Sequence, residues 1–291
     1  MALAEVAWPG LILAAAFGLA VGSFLNVVIH RLPLGESIVR PRSRCPGCKA
    51  QIAAFDNVPL LSYVWLRGAC RHCGMRISAR YPSIELLTGV CFAALLWANG
   101  PVPETLLWLA FAAALIAAAG VDFDHGWIPD ELSLGGLGVG LVVLPALRAA
   151  GGEPYGLALA QAALGATLGA GALWSVGFAH ARLSVALGRS FPHWPGEGEA
   201  PPRPGSLDYW IWFPGLGFGD VKLIGMVGAF LGPIGVVHTI LLASLLGLPL
   251  GLAIARAARG AMAAPFGFGP AIAAAAVIVA VLEPHGSWLR L

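Results

Sequence analysis

Two groups of residues have types and spacings that could do chemistry. The first is four cysteines, Cys45-x-x-Cys48 and Cys70-x-x-Cys73, with 21 residues between the pairs. Thiols at that spacing form two knuckles that can converge tetrahedrally on one soft divalent ion, and zinc is the natural candidate. Four thiolates close the coordination shell, so such an ion holds a fold and leaves no position for a reacting water. A pair of disulfides is the competing reading, disfavoured if the segment faces a reducing compartment. His72 reads as a surface loop residue and Cys91, in an apolar run, as a small hydrophobe.

The second group is acidic. Asp122, Asp124 and Asp130 gather where one apolar run ends and the next begins, and Asp220 follows Gly215-Leu216-Gly217-Phe218-Gly219. A carboxylate at membrane depth is costly and is by default a functional-site hypothesis. Asp122 comes directly after Ala119-Gly120-Val121 and is the first catalytic candidate. Asp130, after Pro129, has the setting of an N-cap, and Asp124 that of a turn residue. Asp220 could cap its helix, but Gly217 and Gly219 allow close backbone approach there, and Lys222 adds a cation beside the acid.

Two carboxylates brought together from different helices cannot both ionise easily and would share a proton. One can then take a proton from water while the other polarises a scissile carbonyl. The same acids could form the proton relay of a transporter or the ligands of a magnesium-dependent phosphotransferase. A pure scaffold would leave them unexplained.

The elements that must position these groups are membrane helices. Of 291 residues 58% are hydrophobic and 11% charged, with mean hydropathy +0.80, which excludes a single soluble domain. Uncharged runs long enough to matter in a bilayer cover 6–29, 86–103, 105–121, 132–147, 154–179, 223–232, 233–255 and 260–282. The fold class is therefore all-α and polytopic, with about eight transmembrane helices; Gly232-Pro233 divides the sixth from the seventh. Nearly all of the 17 Lys and Arg fall on one side when the runs alternate, with only Arg148 and Arg290 opposite. That places the cysteine segment, Asp122 and Asp220 at the cytoplasmic face and both termini outside. The net charge of +2 is thus a topology signal, and no nucleic-acid partner is implied. No basic residue precedes the first run, so a cleaved signal peptide is not expected.

In order along the chain, several pieces resemble one family. They are Gly22-Ser23-Phe24-Leu25-Asn26-Val27-Val28-Ile29-His30-Arg31-Leu32-Pro33, the two knuckles, Asp56-Asn57-Val58-Pro59-Leu60-Leu61-Ser62-Tyr63 and Arg80-Tyr81-Pro82-Ser83-Ile84-Glu85-Leu86-Leu87. Then come Asp122-Phe123-Asp124-His125-Gly126-Trp127-Ile128-Pro129-Asp130, Gly215-Leu216-Gly217-Phe218-Gly219-Asp220-Val221-Lys222-Leu223 and Pro265-Phe266-Gly267-Phe268-Gly269-Pro270. The chain resembles the type IV prepilin peptidases, Gly-x-Gly-Asp aspartyl proteases of the bacterial inner membrane.

The resemblance implies removal of the basic leader from prepilins and pseudopilins after a glycine, at the cytoplasmic face, in a type IV pilus or type II secretion system. It maps the catalytic pair onto Asp122 and Asp220, with Asp124, Asp130, Gly217, Gly219 and Lys222 in support. It also implies N-methylation of the new amino terminus with S-adenosylmethionine, associated with the zinc-bearing segment, although no glycine-rich cofactor fingerprint occurs there. The domain layout that follows is a first transmembrane helix at 1–30, a cytoplasmic zinc-ribbon-like segment at 31–82 with Cys45, Cys48, Cys70 and Cys73 as ligands, and a membrane protease domain at 83–291. A proline- and glycine-rich loop at 180–214 matches no family motif and reads as a mobile loop, a lid over the site or a tolerated insertion, with insertion preferred. Trp210 and Trp212 suit the headgroup layer. Gly165 and Gly169, like Gly247 and Gly251, suit close helix packing.

Overall fold

The structure, a computed structural model, describes residues 7–189, 191, 194, 200–257 and 267–283. Pro265, Phe266 and Arg290, named above, lie outside the described residues, as do 190, 192–193 and 195–199 of the 180–214 loop and 260–266 of the last apolar run. Among the described residues the chain is helical: α1 (Trp8–Arg31), α2 (Leu61–Trp65), α3 (Arg80–Asn99), α4 (Pro103–His125), α5 (Asp130–Ala150), α6 (Tyr155–Ala186), α7 (Asp208–Ile211), α8 (Phe218–Ala257) and α9 (Gly269–Leu282). Six of these, α1, α3, α4, α5, α6 and α8, are long and apolar enough to cross a membrane. The chain separates into two compact units, up to Val121 and from Asp122 onward.

In the first unit α1 lies against α3 because glycines remove the side chains that would hold them apart. A Cβ at Gly18 would come within 2.7 Å of Thr88 O, and one at Gly22 within 2.7 Å of Glu85 Cα. Small residues are the usual means of close helix contact in lipid, where burial of apolar surface gives no drive. The segment joining α1 to α3 has little regular structure besides α2, 3-10 turns and the isolated bridges Arg44–Gln51 and Ala69–Arg76. Its two knuckles repeat one hydrogen-bond pattern. Cys45 N–H donates to Ala50 O and Lys49 N–H to Cys45 O; Cys70 N–H donates to Met75 O and Gly74 N–H to Cys70 O. Lys49 and Gly74 both take the left-handed φ that this turn demands, 59° and 71°.

The second unit is built around the N-terminal arm of α8. Val221, Leu223, Ile224, Met226, Val227, Ala229, Phe230 and Leu231 are all buried, so this arm is wrapped by protein all round, as an apolar helix without a polar face should be. Glycines on its neighbours admit it: Gly140 of α5 lies against Ala229 and Phe230, and Gly165 of α6 against the backbone of Gly228 and Gly232.

At Gly232 the chain turns back. A Cβ at Gly169 would stand 2.9 Å from Ile224 O and 2.6 Å from Val236 Cγ2, whereas a straight helix would separate those residues by about 18 Å. Gly232 has φ 72° and ψ −176°, open to glycine without a Cβ clash, and Pro233 cannot continue the hydrogen-bond ladder. The second arm then runs antiparallel to α9, with Gly235 near Glu283 at one end and Gly247 against Phe268 at the other. The sixth and seventh apolar runs are therefore the two arms of α8, and the eighth run contributes α9, of 14 residues. The difference between eight runs and six long helices lies in that fold-back and in the shortness of α9.

Candidate active site

Asp122 lies in the last turn of α4 and Asp220 in the first turn of α8, both at helix ends. Each is buried, at 5% and 7% exposure. Two contacts bring their segments together, and a third holds Asp122. A Cβ at Gly219 would be 3.2 Å from Ile128 Cβ, so the first turn of α8 rests on the α4–α5 connection. Lys222 then donates to Asp130 Oδ1, tying α8 to the first turn of α5. Finally, the Gly269 N–H at the start of α9 donates to Asp122 Oδ2 at 3.0 Å, where a helix N-terminus favours a negative partner.

Asp130 is thus inside α5 with Pro129 in the cap position, and its carboxylate serves Lys222 instead of capping. Asp124, two residues beyond Asp122, is exposed. Gly217 accepts the Asp220 N–H at 3.0 Å, and a Cβ there would meet Asp220 Oδ2 only at 3.5 Å.

Gly267 and Gly269 carried no assigned role at the sequence level, yet both close on Asp122. A Cβ at Gly269 would be 2.7 Å from Asp122 Oδ2, and one at Gly267 would overlap the carboxylate outright. The Gly-x-Gly spacing, also seen before Asp220, was the available signal. Ile128, the other residue missed, looks in sequence like any apolar loop residue.

The loop before Asp220 is anchored. Trp174 and Phe178 of α6 stack in parallel with Trp210, at ring separations of 4.9 to 6.3 Å, and Arg182 lies 3.9 Å from the Tyr209 ring centroid. Trp174 Nε1 donates to Trp210 O at 2.8 Å and Trp194 Nε1 to Trp212 O at 3.0 Å. Tyr209, Trp210 and Trp212 are therefore held by rings of α6 and by the indole N–H groups of Trp174 and Trp194. Trp210 and Trp212 are packed into that cluster.

In the first unit the four thiols converge. Cys45 and Cys73 Sγ are 3.7 Å apart, Cys48 and Cys70 Sγ 4.0 Å, and all four lie within 4.8 Å of one another. A tetrahedral ion with bonds of about 2.3 Å needs sulfurs about 3.8 Å apart, so the cluster can hold a metal ion. The cysteines are free thiols, and His72 is outside the cluster. Backbone N–H groups of Cys48 and Gly47 hold the Cys45 thiol well down, at about 6. Cys73, despite the N–H of Met75, is pushed up to about 11 by burial and the neighbouring sulfurs; a bound cation removes that crowding of charge. Among the described residues no other group of three or more such ligands is assembled.

Residues 16–99 match the bacterial peptidase A24 N-terminal domain, and residues 109–252 match the type IV leader peptidase family. A prepilin leader peptidase/N-methyltransferase of Myxococcus xanthus is 37% identical over 238 residues, which are 81% of this chain and 60% of that protein. One of Neisseria gonorrhoeae is 34% identical over 291 residues, 92% of this chain and 88% of the relative. The type 4 prepilin-like proteins leader peptide-processing enzyme of Escherichia coli O78:H11 is 35% identical over 279 residues, 88% of each chain. No solved structure matches the chain significantly. With both halves matched in order and the two acids and four thiols inside the matched regions, the chain belongs to the type IV leader peptidase family, multi-pass membrane enzymes.

Proposed function

We propose that the protein is an aspartic endopeptidase that removes the leader of type IV prepilins and pseudopilins after glycine, with Asp122 and Asp220 as the catalytic pair. The observation that supports this is the burial of both carboxylates at helix ends, in segments joined by the Gly219–Ile128 contact and the Lys222–Asp130 pair. With one proton between them, one carboxylate takes a proton from the attacking water while the other donates to the scissile carbonyl oxygen. The tetrahedral intermediate then collapses with a proton passed to the leaving amine. No covalent intermediate is needed.

The location suits the substrate. A prepilin carries a basic leader on a long apolar helix, so its cleavage point lies at the membrane surface, level with acids at helix ends. A transporter relay would call for acids at mid-span, and both acids here sit within a turn of a helix terminus. In this reading the pair faces the cytoplasm at the bacterial inner membrane, with lipid around α1, α3, α4, α5, α6 and α8. Cys45, Cys48, Cys70 and Cys73 hold a structural zinc ion in segment 31–82, whose shell they fill.

The protein then methylates the newly exposed amino terminus, a reading supported by the word N-methyltransferase in the names of its relatives. S-adenosylmethionine, when bound, supplies an electrophilic methyl group. The test is incubation of the purified protein with a prepilin, with and without S-adenosylmethionine, and the mass of the product. Loss of the leader in both, plus one methyl group with the donor, is expected. An uncut prepilin in both contradicts the peptidase reading.

A further inference from the structure

The first unit contains a cavity of about 420 Å³ where the α1–α3 seam meets the knuckle segment, within the range of small-molecule sites. Its wall includes Asn26, Arg31, Ile52, Tyr63, Met75 and Glu85. Asn26 and Glu85 are each only 9% exposed, and both have acceptor capacity that the protein leaves over.

Asn26 Nδ2 donates to Gly22 O at 3.2 Å and to Tyr81 O at 3.1 Å. Two carbonyl partners fix the amide orientation, and Oδ1 has no hydrogen bond among the described residues. Glu85 Oε2 accepts the Leu60 N–H at 2.9 Å, and Oε1 likewise has no partner there. The two side chains share one seam. Gly22, a turn before Asn26 on α1, touches Glu85 Cα, and Tyr81, a turn before Glu85 on α3, accepts from Asn26. Both residues lie on the wall of the same accessible cavity, where a carboxylate oxygen and an amide oxygen not engaged by protein donors can receive the N–H groups of a cation.

We propose that this cavity is the methyl-transfer site, in which Glu85 Oε1 and Asn26 Oδ1 receive the α-amino group of the cleaved protein. The inference rests on the methyl-transfer reading above. The remaining wall fits a nucleoside sulfonium donor: Tyr63, Met75 and Ile52 offer an apolar face to a base, and Arg31 a counter-charge to a carboxylate. Glu85 takes one proton from the ammonium. The freed amine attacks the methyl carbon, the C–N bond forms as the C–S bond breaks, and sulfur keeps the bonding pair, leaving a neutral thioether and a methylated ammonium.

The experiment uses the full chain in lipid nanodiscs, with a peptide that already begins at the mature residue, S-adenosylmethionine, and S-adenosylhomocysteine as binding probe. Glu85→Gln keeps an acceptor for Leu60 N–H but cannot take a proton. It should lower kcat for methyl transfer about 100-fold and leave S-adenosylhomocysteine affinity and leader removal within about twofold. Ile52→Trp fills the cavity and should weaken S-adenosylhomocysteine binding about tenfold or more with leader removal intact. Normal transfer by Glu85→Gln, its loss of probe binding, or normal probe binding by Ile52→Trp overturns the site while the methyl-transfer reading stands. Unaltered protein that cuts a prepilin, binds no probe and methylates nothing overturns both.

Discussion

Replacing single glycines around the acids should have effects ranked by the space each one leaves. A Cβ at Gly269 would come 2.7 Å from Asp122 Oδ2 and 3.1 Å from its Cγ. Carbon and oxygen do not approach that closely without bonding, so either the carboxylate or the start of α9 must move by several tenths of an ångström. The Gly269 N–H bond to Asp122, at 3.0 Å, is then lost or lengthened. A hydrogen bond to a charged group contributes about 1.5–3 kcal/mol, and a misplacement of about 1 Å at a reacting group costs on the order of 100-fold. Gly269→Ala should therefore cut prepilin about 10- to 100-fold more slowly. Gly219→Ala, 3.2 Å from Ile128 Cβ, should be intermediate, and Gly217→Ala, at 3.5 Å from Asp220 Oδ2, should lose no more than a few-fold. Gly138 of α5 has open space at its Cβ, so Gly138→Ala should be active and slightly more stable, since alanine favours helix by about 1 kcal/mol. Initial rates of leader removal, followed by mass spectrometry at equal amounts of folded protein, test the series. Full activity of Gly269→Ala, or greater damage from Gly217→Ala, would refute the packing argument.

Other perturbations separate the parts. Lys222→Met should slow leader removal by unfastening α8 from Asp130, and Lys222→Arg should restore part of the rate; equal loss in both would argue against the tie. Chelation, or Cys48→Ser, should strip the bound metal, measured by atomic emission, and disturb segment 31–82. Its effect on cleavage of a detergent-solubilised prepilin should be much smaller than that of losing either acid. Trp174→Ala removes two parallel ring contacts and the indole bond to Trp210; aromatic pairs contribute about 0.5–1.5 kcal/mol each beyond burial, so limited proteolysis within 200–217 should accelerate several-fold.

The positions of helices were legible because in a bilayer almost every spanning residue must be apolar, and charge then marks the ends. The turn at Gly232-Pro233 was legible for a similar local reason, since only glycine and proline chemistry fits it. The thiol cluster could be read because its ligand spacing is a geometric requirement. What could not be read was contact between distant segments. Nothing local to Gly269 says that its N–H meets Asp122, and Asp130 looked like a cap because its partner, Lys222, lies 92 residues away. Nor does the composition of the proline-rich loop show that Tyr209 and Trp210 pack on Trp174, Phe178 and Arg182, which belong to a helix that reads as plain membrane span. Glu85 and Asn26 became informative only once the donors already engaged around them could be counted.

The shared role of the two acids is tested most directly by a mutant cycle on leader removal with Asp122→Asn, Asp220→Asn and the double variant, each inserted in membranes with its metal retained. Groups that act as one unit are strongly non-additive. Each single variant should lose about 1,000-fold or more, and the double variant should be no slower than the worse single. Near-normal cleavage by either single variant, or losses that multiply in the double, would contradict the account.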